Sequence, residues 1–192
     1  MESSDIKKAI ECIIFVSDQP VSVDKLQQVF TELERSDIRK HLKEMIEEWA
    51  ALGRGVLLEE VAGGFQFRTD PAYGEYVTNY NKKIKKFRLS RAALEVLAII
   101  AYKQPVTRVE VESIRGVDSS GVINALLERR ILEIKGRKEV IGRPFLYGTT
   151  SEFLEVFGLK SLKDLPTLKE IDEVSKNLEP GISDLSEQLS EQ

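Results

Sequence analysis

The sequence contains a single cysteine and a single histidine among its 192 residues. Cys12 has no partner for an internal disulfide, and one cysteine with one histidine cannot assemble a zinc cluster. No apolar run approaches the ~20 residues that span a bilayer, and the polar, acidic first five residues are unlike a secretory signal. We therefore predict a cytoplasmic protein without a metal site, in which Cys12 fills the core.

The residue groups that carry catalysis are also missing from the sequence. His41 is the one histidine, and no serine or cysteine lies in the setting of an activated nucleophile. The glycines at 53–55 and 63–64 fall at a predicted helix end and a predicted turn, so no phosphate-binding loop is expected. Five carboxylates are interpreted as surface charge: Glu44, Glu47, Glu48, Glu59 and Glu60. We predict that the chain is not an enzyme and takes no cofactor or small-molecule substrate.

The net charge of −4 is unevenly distributed along the chain. Residues 1–86 carry a net −2, residues 87–168 a net +3, and residues 169–192 a net −5. None of these values resembles the strongly basic balance of a dedicated nucleic-acid binder. The basic connector at 82–88 is interpreted as a solvated linker, with a phosphate-binding patch as the alternative. The acidic tail at 169–192 is predicted to be disordered.

An internal repeat is the most informative feature of the chain. Residues 19–23 read Gln-Pro-Val-Ser-Val and residues 104–107 read Gln-Pro-Val-Thr, an offset of 85. In the first copy, apolar residues at helical spacing predict three helices, with Ser22 and Ser36 as N-caps of the second and third. Alternating strands at 56–61 and 65–69, joined through Gly63-Gly64, predict a hairpin.

The second copy predicts the same order of elements. Ser90 is the expected cap of its first helix, Thr107 and Glu110 form a capping box for the second, and Asp118 caps the third. Strands at 132–140 and 145–149 predict a second hairpin. A short helix capped by Ser151 follows and ends at Gly158. The fold predicted is mostly α (α+β), with two tandem winged-helix domains, each of three helices and a β-hairpin wing, at 1–86 and 87–168.

A winged helix raises the expectation of DNA binding, but the charges favour protein binding. The third helix enters the DNA major groove in such folds and needs basic side chains. Here the predicted third helices carry net charges of −1 and zero, at 36–52 and 118–130. The second wing is more basic, and weak, non-specific DNA contact at Lys135, Arg137 and Lys138 is the less favoured hypothesis there.

The first helix of each copy is apolar on more than one face, as at 13–16 and 96–101. A surface helix normally buries a single stripe. Two interpretations stay open: a central helix wrapped by its own domain, or a second buried side at a self-association or partner surface.

Three runs are distinctive: residues 89–108 (LSRAALEVLAIIAYKQPVTR), Gly142-Arg143-Pro144 and residues 147–150 (YGTT). Together they resemble the signature of the segregation and condensation protein B (ScpB) family. The resemblance covers about residues 5–168. The chain departs from it at Arg130, where many family members have glycine.

The resemblance implies a non-catalytic subunit of the bacterial SMC condensin complex. Such a subunit dimerises through its N-terminal winged helices and binds the kleisin ScpA, which bridges the SMC ATPase heads. It would support chromosome condensation and segregation during cell division, in the cytoplasm and in association with the nucleoid. The alternative is a dimeric winged-helix DNA-binding transcription regulator.

Candidate site residues follow from this interpretation. For the kleisin we expect docking on the second domain, through Tyr102, Lys103, Arg115, Arg143, Pro144 and Phe145. For dimerisation we expect the first domain to use Ile14, Phe15, Phe65 and Phe67.

Overall fold

The computed structural model describes residues 3–80, 89–167 and 170. The described residues up to Ser161 belong to one compact unit, and the described residues from Leu162 onward lie outside it. The predicted basic linker at 82–88 and nearly all of the predicted tail at 169–192 lie outside the described residues. The domain boundary expected at residue 86 falls within the first unit and stays a prediction.

The first half of this unit folds as three helices followed by a hairpin and a short helix. Its elements are α1 (Ser3–Val16), α2 (Val23–Val29), α3 (Arg35–Ala51), β1 (Val56–Val61), β2 (Gly64–Thr69), a 3-10 turn (Pro71–Tyr73) and α4 (Gly74–Tyr80). Strands β1 and β2 are antiparallel, and a single bridge from Val21 to Phe65 adds a third strand position. This order is that of a winged helix, with the hairpin as the wing.

The core of the first half forms where one stripe of each helix meets the hairpin. Helix α1 buries residues at a spacing of four, which keeps them on one face. The core cluster consists of Ile6, Ile10, Ile14, Val21, Val23, Leu26, Phe30, Ile38, Leu42, Met45, Leu58 and Phe65. Ser22 caps α2 as predicted, its hydroxyl accepting from the Lys25 amide.

The turn of the first hairpin lies one residue earlier than the sequence predicts. Val61 pairs with Gly64, so the two turn residues are Ala62 and Gly63, with φ of 50° and 72°. Gly64 belongs to β2, because a Cβ there would come 2.8 Å from the carbonyl carbon of Pro20. Close packing against Pro20 therefore takes Gly64 out of the turn and leaves an alanine in the left-handed region.

The second half repeats this order of elements, with a sheet of three strands instead of two. Its elements are α5 (Arg91–Lys103), β3 (Val106–Thr107), α6 (Arg108–Arg115), α7 (Ser120–Glu128), β4 (Leu132–Arg137), β5 (Phe145–Thr149) and α8 (Ser151–Phe157). The strand order is β3-β5-β4, and both pairings are antiparallel. The expected fold class, mostly helical with two winged helices, is confirmed.

Some of the predicted helix caps are observed and others are not. Ser90 caps α5, and Thr107 with Glu110 forms the predicted capping box of α6. The caps predicted for the third helices are wrong: α3 and α7 are preceded by Glu34 and Ser119, and neither side chain caps its helix. Ser36 and Asp118 instead make local hydroxyl–carboxylate hydrogen bonds, which satisfy these side chains without the helix.

Two further predicted boundaries shift slightly. Strand β4 ends at Arg137 rather than at residue 140, and Thr150, not Ser151, is the N-cap of α8. The helix ends at Gly158 in the left-handed region, as predicted.

The repeated Gln-Pro motif has a structural role in the second half. The Gln104 side chain accepts from the Thr149 amide at 2.8 Å and donates to the Thr149 hydroxyl at 3.0 Å. It also donates to the Ala101 carbonyl at 3.1 Å. Gly148 lies beside it, and a Cβ there would come 2.8 Å from the Gln104 side-chain oxygen. The end of α5 is thereby joined to the end of β5.

The backbone conformation of Arg130 explains why many members of the ScpB family have glycine at this position. Arg130 lies between α7 and β4 with φ of 57°, in the left-handed region where glycine carries no Cβ penalty. For Arg130→Gly we expect the free energy of unfolding to rise by about 0.5–1 kcal/mol, because ~1–2 kcal/mol of backbone strain outweighs the entropic cost of glycine. Chemical denaturation measures the change.

The adjacent residue provides a matched control for this prediction. Arg129 has φ of −84°, where glycine relieves no strain. Arg129→Gly should lower the free energy of unfolding by about 0.5–1 kcal/mol. Equal destabilisation by both glycines would show that the strain at Arg130 is not significant.

Candidate partner-binding surfaces

An apolar groove crosses the first half where α1, α3 and the hairpin meet. It has a volume of about 500 Å³. The residues that line this first groove are Glu11, Cys12, Phe15, Trp49, Arg54, Gly55, Val56 and Phe67. Trp49 and Phe67 pack edge to face with ring centroids 4.8 Å apart, and the Arg54 guanidinium lies 5.4 Å from the Trp49 ring. The wall is therefore a fixed aromatic surface, which suits an apolar partner group.

The predicted dimerisation residues differ in burial: Phe15 is exposed, Phe67 is partly buried, and the other two are buried. Phe15 is 78% exposed and lines the first groove together with Phe67. Ile14 and Phe65 are only 2% and 3% exposed and belong to the core. Successive helical residues are rotated by about 100°, so the stripe that buries Ile14 turns Phe15 outward. Ile14 and Phe65 have almost no surface to offer a partner, which corrects that part of the expectation.

Cys12 and Trp49 belong to the first groove although the sequence interpretation did not place them there. Cys12 is exposed, so the expectation that it fills the core is wrong. It lies two residues after Ile10, on the side of α1 away from the buried stripe. The width of the apolar face of α1 was the signal that could have found Cys12.

A second groove lies between the end of α5 and helix α6, with a volume of about 440 Å³. The residues that line this second groove are Lys103, Pro105, Val106, Glu110, Ser113 and Ile114. Of the predicted kleisin-binding residues, Lys103 is part of it and the neighbouring Tyr102 is exposed. Pro105, Ser113 and Ile114 were missed. Ile114 could have been found from the sequence, because it is an apolar residue on a mainly polar helix and does not belong to the buried face of that helix.

The second wing is ordered by contacts around Phe145. The Arg137 guanidinium lies 3.9 Å from the centroid of the Phe145 ring and donates to the Arg143 carbonyl at 2.9 Å. Arg143 reaches Glu139 at 3.3 Å, and its own φ is 38°. Three predicted docking residues, Arg143, Pro144 and Phe145, thus lie together on one loop and strand end.

Glu110 connects the second groove to the wing. Its carboxylate accepts from Lys138 Nζ at 2.6 Å and from the backbone amide and hydroxyl of Thr107, both at 2.8 Å. The Lys138 amide in turn donates to the Pro144 carbonyl at 2.9 Å. The ammonium of Lys138, followed by the two Thr107 hydrogen bonds, lowers the pKa of Glu110 to about 2. The groove wall and the wing base are therefore joined through one ionised carboxylate.

The charge of Arg115 is paired within the protein. Its side chain is 9% exposed, donates to the Ser119 hydroxyl at 2.9 Å and pairs with Glu95 at 3.1 Å. It lies in the last turn of α6, where the helix dipole also stabilises a cation. Its placement fits a packing role, which differs from the docking role expected from the sequence.

The three cations expected to contact DNA all have neighbours within the protein. Lys135 pairs with Glu133, Lys138 pairs with Glu110, and Arg137 lies over the Phe145 ring. Phosphate binding would compete with these contacts. Weak DNA contact at this wing stays a hypothesis.

Within residues 3–80 and 89–167, no group of three or more histidine, cysteine or acidic residues could hold a metal ion. In the same ranges, no helix is long and apolar enough to cross a membrane.

Comparisons with known proteins agree with one another. Residues 8–168 match the model of the family described as segregation and condensation complex subunit ScpB. A segregation and condensation protein B from Myxococcus xanthus is 49% identical over 92% of this chain and 53% of its own length. The chain thus spans about half of that relative. A second, from Syntrophotalea carbinolica, is 46% identical over 96% of this chain and 92% of its own length.

A solved structure of ScpB from Mycobacterium tuberculosis has 32% sequence identity with this chain. The match covers 83% of this chain and 98% of the other, with a TM-score of 0.41.

The low pKa of Glu110 generates a prediction about acid stability. A carboxyl with a lowered folded-state pKa contributes stability that is present above its ordinary pKa of 4.5 and is lost as the pH falls toward about 2. Between pH 4.5 and 2 we expect the wild-type chain to lose stability more steeply than Glu110→Gln. Urea denaturation across this range measures both slopes.

Glu128→Gln, an exposed change at the end of α7, is the control. It should follow the wild-type slope. Parallel slopes for wild type and Glu110→Gln would mean that the contact with Lys138 adds no pH-dependent stability.

Proposed function

Because this chain belongs to the segregation and condensation complex subunit ScpB family, we propose that it dimerises and binds the kleisin ScpA. Through the kleisin it would join the SMC ATPase and support chromosome condensation and segregation during cell division. The site of action would be the cytoplasm, in association with the nucleoid. The observation that carries this proposal is the presence of two separate grooves, one on each winged helix.

The chain is not an enzyme, because ScpB is a non-catalytic subunit of the condensation complex. Its contribution is therefore binding, and the chemistry to explain is recognition. We place one binding event on each groove.

Dimerisation is assigned to the first groove. Phe15 protrudes from the same patch that contains the groove, and the neighbouring Val16 is also exposed. A patch that holds both a protruding aromatic ring and a cavity can pair with a second copy of itself around a two-fold axis. Buried aromatic residues at the centre of an interface commonly carry much of its binding energy.

Kleisin docking is assigned to the second groove together with the wing. Tyr102 and Lys103 stand at one edge, and the wing with Arg143 and Phe145 is connected to the other through Glu110 and Lys138. The surface combines exposed apolar groups with cations, which suits an amphipathic helix with acidic flanks. A dimer would carry two such surfaces, and binding at one raises the local concentration for the other.

The transcription regulator is the less favoured alternative. Helix α3 includes Glu44, whose carboxylate forms an ion pair with Lys7 Nζ at 2.8 Å on the helix surface. The acidic side chains of α3 oppose phosphate, and the wing cations already contact acids or a ring.

Dimerisation is tested by Phe15→Glu. Placing a charge in the first groove should weaken the dimer at least tenfold, since a central aromatic contact is worth about 2 kcal/mol or more. Sedimentation equilibrium measures the dissociation constant.

Tyr76→Glu is the matched control, because Tyr76 is 74% exposed but lies on α4 outside the first groove. It should leave the dimer intact. A wild-type chain that stays monomeric at high concentration, or a Phe15→Glu dimer as tight as wild type, would exclude this interface.

Kleisin docking is tested with alanine at Tyr102, Lys103 and Arg143, alone and together. We expect each change to reduce the affinity for purified ScpA, and the triple variant to reduce it at least tenfold, because contacts of this kind are worth ~1 kcal/mol or more each. Isothermal titration calorimetry measures the affinity, and thermal unfolding checks the fold.

Arg91→Ala, an exposed change at the opposite end of α5, is the control. It should bind ScpA as wild type does. Unchanged affinity in the triple variant would place the kleisin elsewhere. Tight, sequence-dependent binding of duplex DNA without ScpA binding would support the regulator instead.

A further inference from the structure

The turn of the first hairpin makes backbone hydrogen bonds to a distant part of the chain. The amide of Ala62 donates to the Leu159 carbonyl at 2.9 Å, and the amide of Gly63 donates to the Lys160 carbonyl at 3.0 Å. The β1–β2 ladder ends at the Val61–Gly64 pair, so these two amides lie beyond it. Both turn residues have positive φ, and this conformation presents two successive amides to the same segment.

A second set of contacts extends the same surface along β2. Arg68 Nη1 donates to the Glu155 carbonyl at 3.0 Å, in the last turn of α8. The Glu155 carbonyl also accepts from the Gly158 amide at 3.3 Å, and a cation at the end of a helix is favoured by the helix dipole. Glu59 lies 3.5 Å from Arg68 Nε and orients the guanidinium.

An ion pair lies at the other end of this contact. Lys160 Nζ is 3.7 Å from Glu60, on the strand that leads into the turn. The hairpin thus contacts the segment after α8 through backbone, guanidinium and ammonium donors. We call the set of Glu60, Ala62, Gly63 and Arg68 with Glu155, Leu159 and Lys160 the hairpin latch.

We propose that the first wing is a docking surface for residues 155–160 of the same chain, and that the hairpin latch holds the two winged helices as one body. The structure places both partners within the single unit Met1–Ser161. All the latch contacts just described are polar and include two main-chain hydrogen bonds that fix the register of the docked segment. Wings that bind DNA point their hairpin at the duplex, whereas here the hairpin turn is occupied by the chain itself.

The polar character of the latch makes it reversible. Water can satisfy the same amides and carbonyls, so each hydrogen bond contributes only a modest net free energy. Removing one charged donor should therefore shift the ratio of closed to open molecules without unfolding either half. The latch is independent of the proposed dimer and kleisin surfaces, because none of its residues lines either groove.

The test is a distance distribution between the two halves. Fluorescent labels are attached at Lys40→Cys on α3 and Asn124→Cys on α7, both exposed positions outside the latch, in a Cys12→Ser chain. Labelled protein is diluted in excess unlabelled protein, so that single-molecule energy transfer reports distances within one chain. A narrow distribution is expected for the otherwise unchanged chain.

Arg68→Ala should lower the ratio of closed to open molecules by about tenfold, the effect of losing one charge-assisted hydrogen bond. Lys160→Glu, at an exposed position where folding is not at risk, should shift the distribution in the same direction. Arg35→Ala, which removes an arginine paired with Asp24 away from the latch, should leave it narrow.

Distributions unchanged by both Arg68→Ala and Lys160→Glu would overturn the proposal. It would also be overturned if the closed distance appeared only between chains that carry one label each. Residues 155–160 would then dock on a second copy rather than on their own chain.

Discussion

The burial of one stripe of the first helix in each half is the contact on which the rest of the structure depends. Ile6, Ile10 and Ile14 of α1 are buried against α3 and the hairpin, and Val96 and Ile100 of α5 occupy the corresponding place. Each such side chain contributes about 1.5–3 kcal/mol through burial, more than a typical polar contact on the surface. The same rotation of α1 that buries Ile14 exposes Phe15. The core therefore decides which residues remain for partners.

Polar contacts then set the finer geometry on this apolar frame. In the second half, Gln104 joins the end of α5 to β5, and Glu110 joins the start of α6 to the wing through Lys138. The second groove lies between these two connections, so its walls are held by contacts from several elements. A docking surface held in this way loses little conformational freedom on binding.

Some features that depend on neighbours in sequence were predictable, although the predicted caps of α3 and α7 were not observed; features that depend on packing were not predictable. The capping box of Thr107 and Glu110 lies within four residues and formed as expected. The first turn did not, because Gly64 is needed without a side chain beside Pro20, and that contact is invisible in the sequence. Arg115 was expected to dock the kleisin, but its guanidinium pairs with Glu95 on another helix.

The sequence by itself determined the two winged helices, because the period of apolar residues and the cap and turn residues specify helices and hairpins locally. It also determined the family, through the runs at 89–108 and 142–150. Only the tertiary structure decided which apolar residues are left exposed, that Cys12 and Trp49 share a groove with Phe15, and that the first hairpin turn contacts residues 159–160. These facts depend on how elements distant in sequence pack together, and local pattern carries no information about that packing.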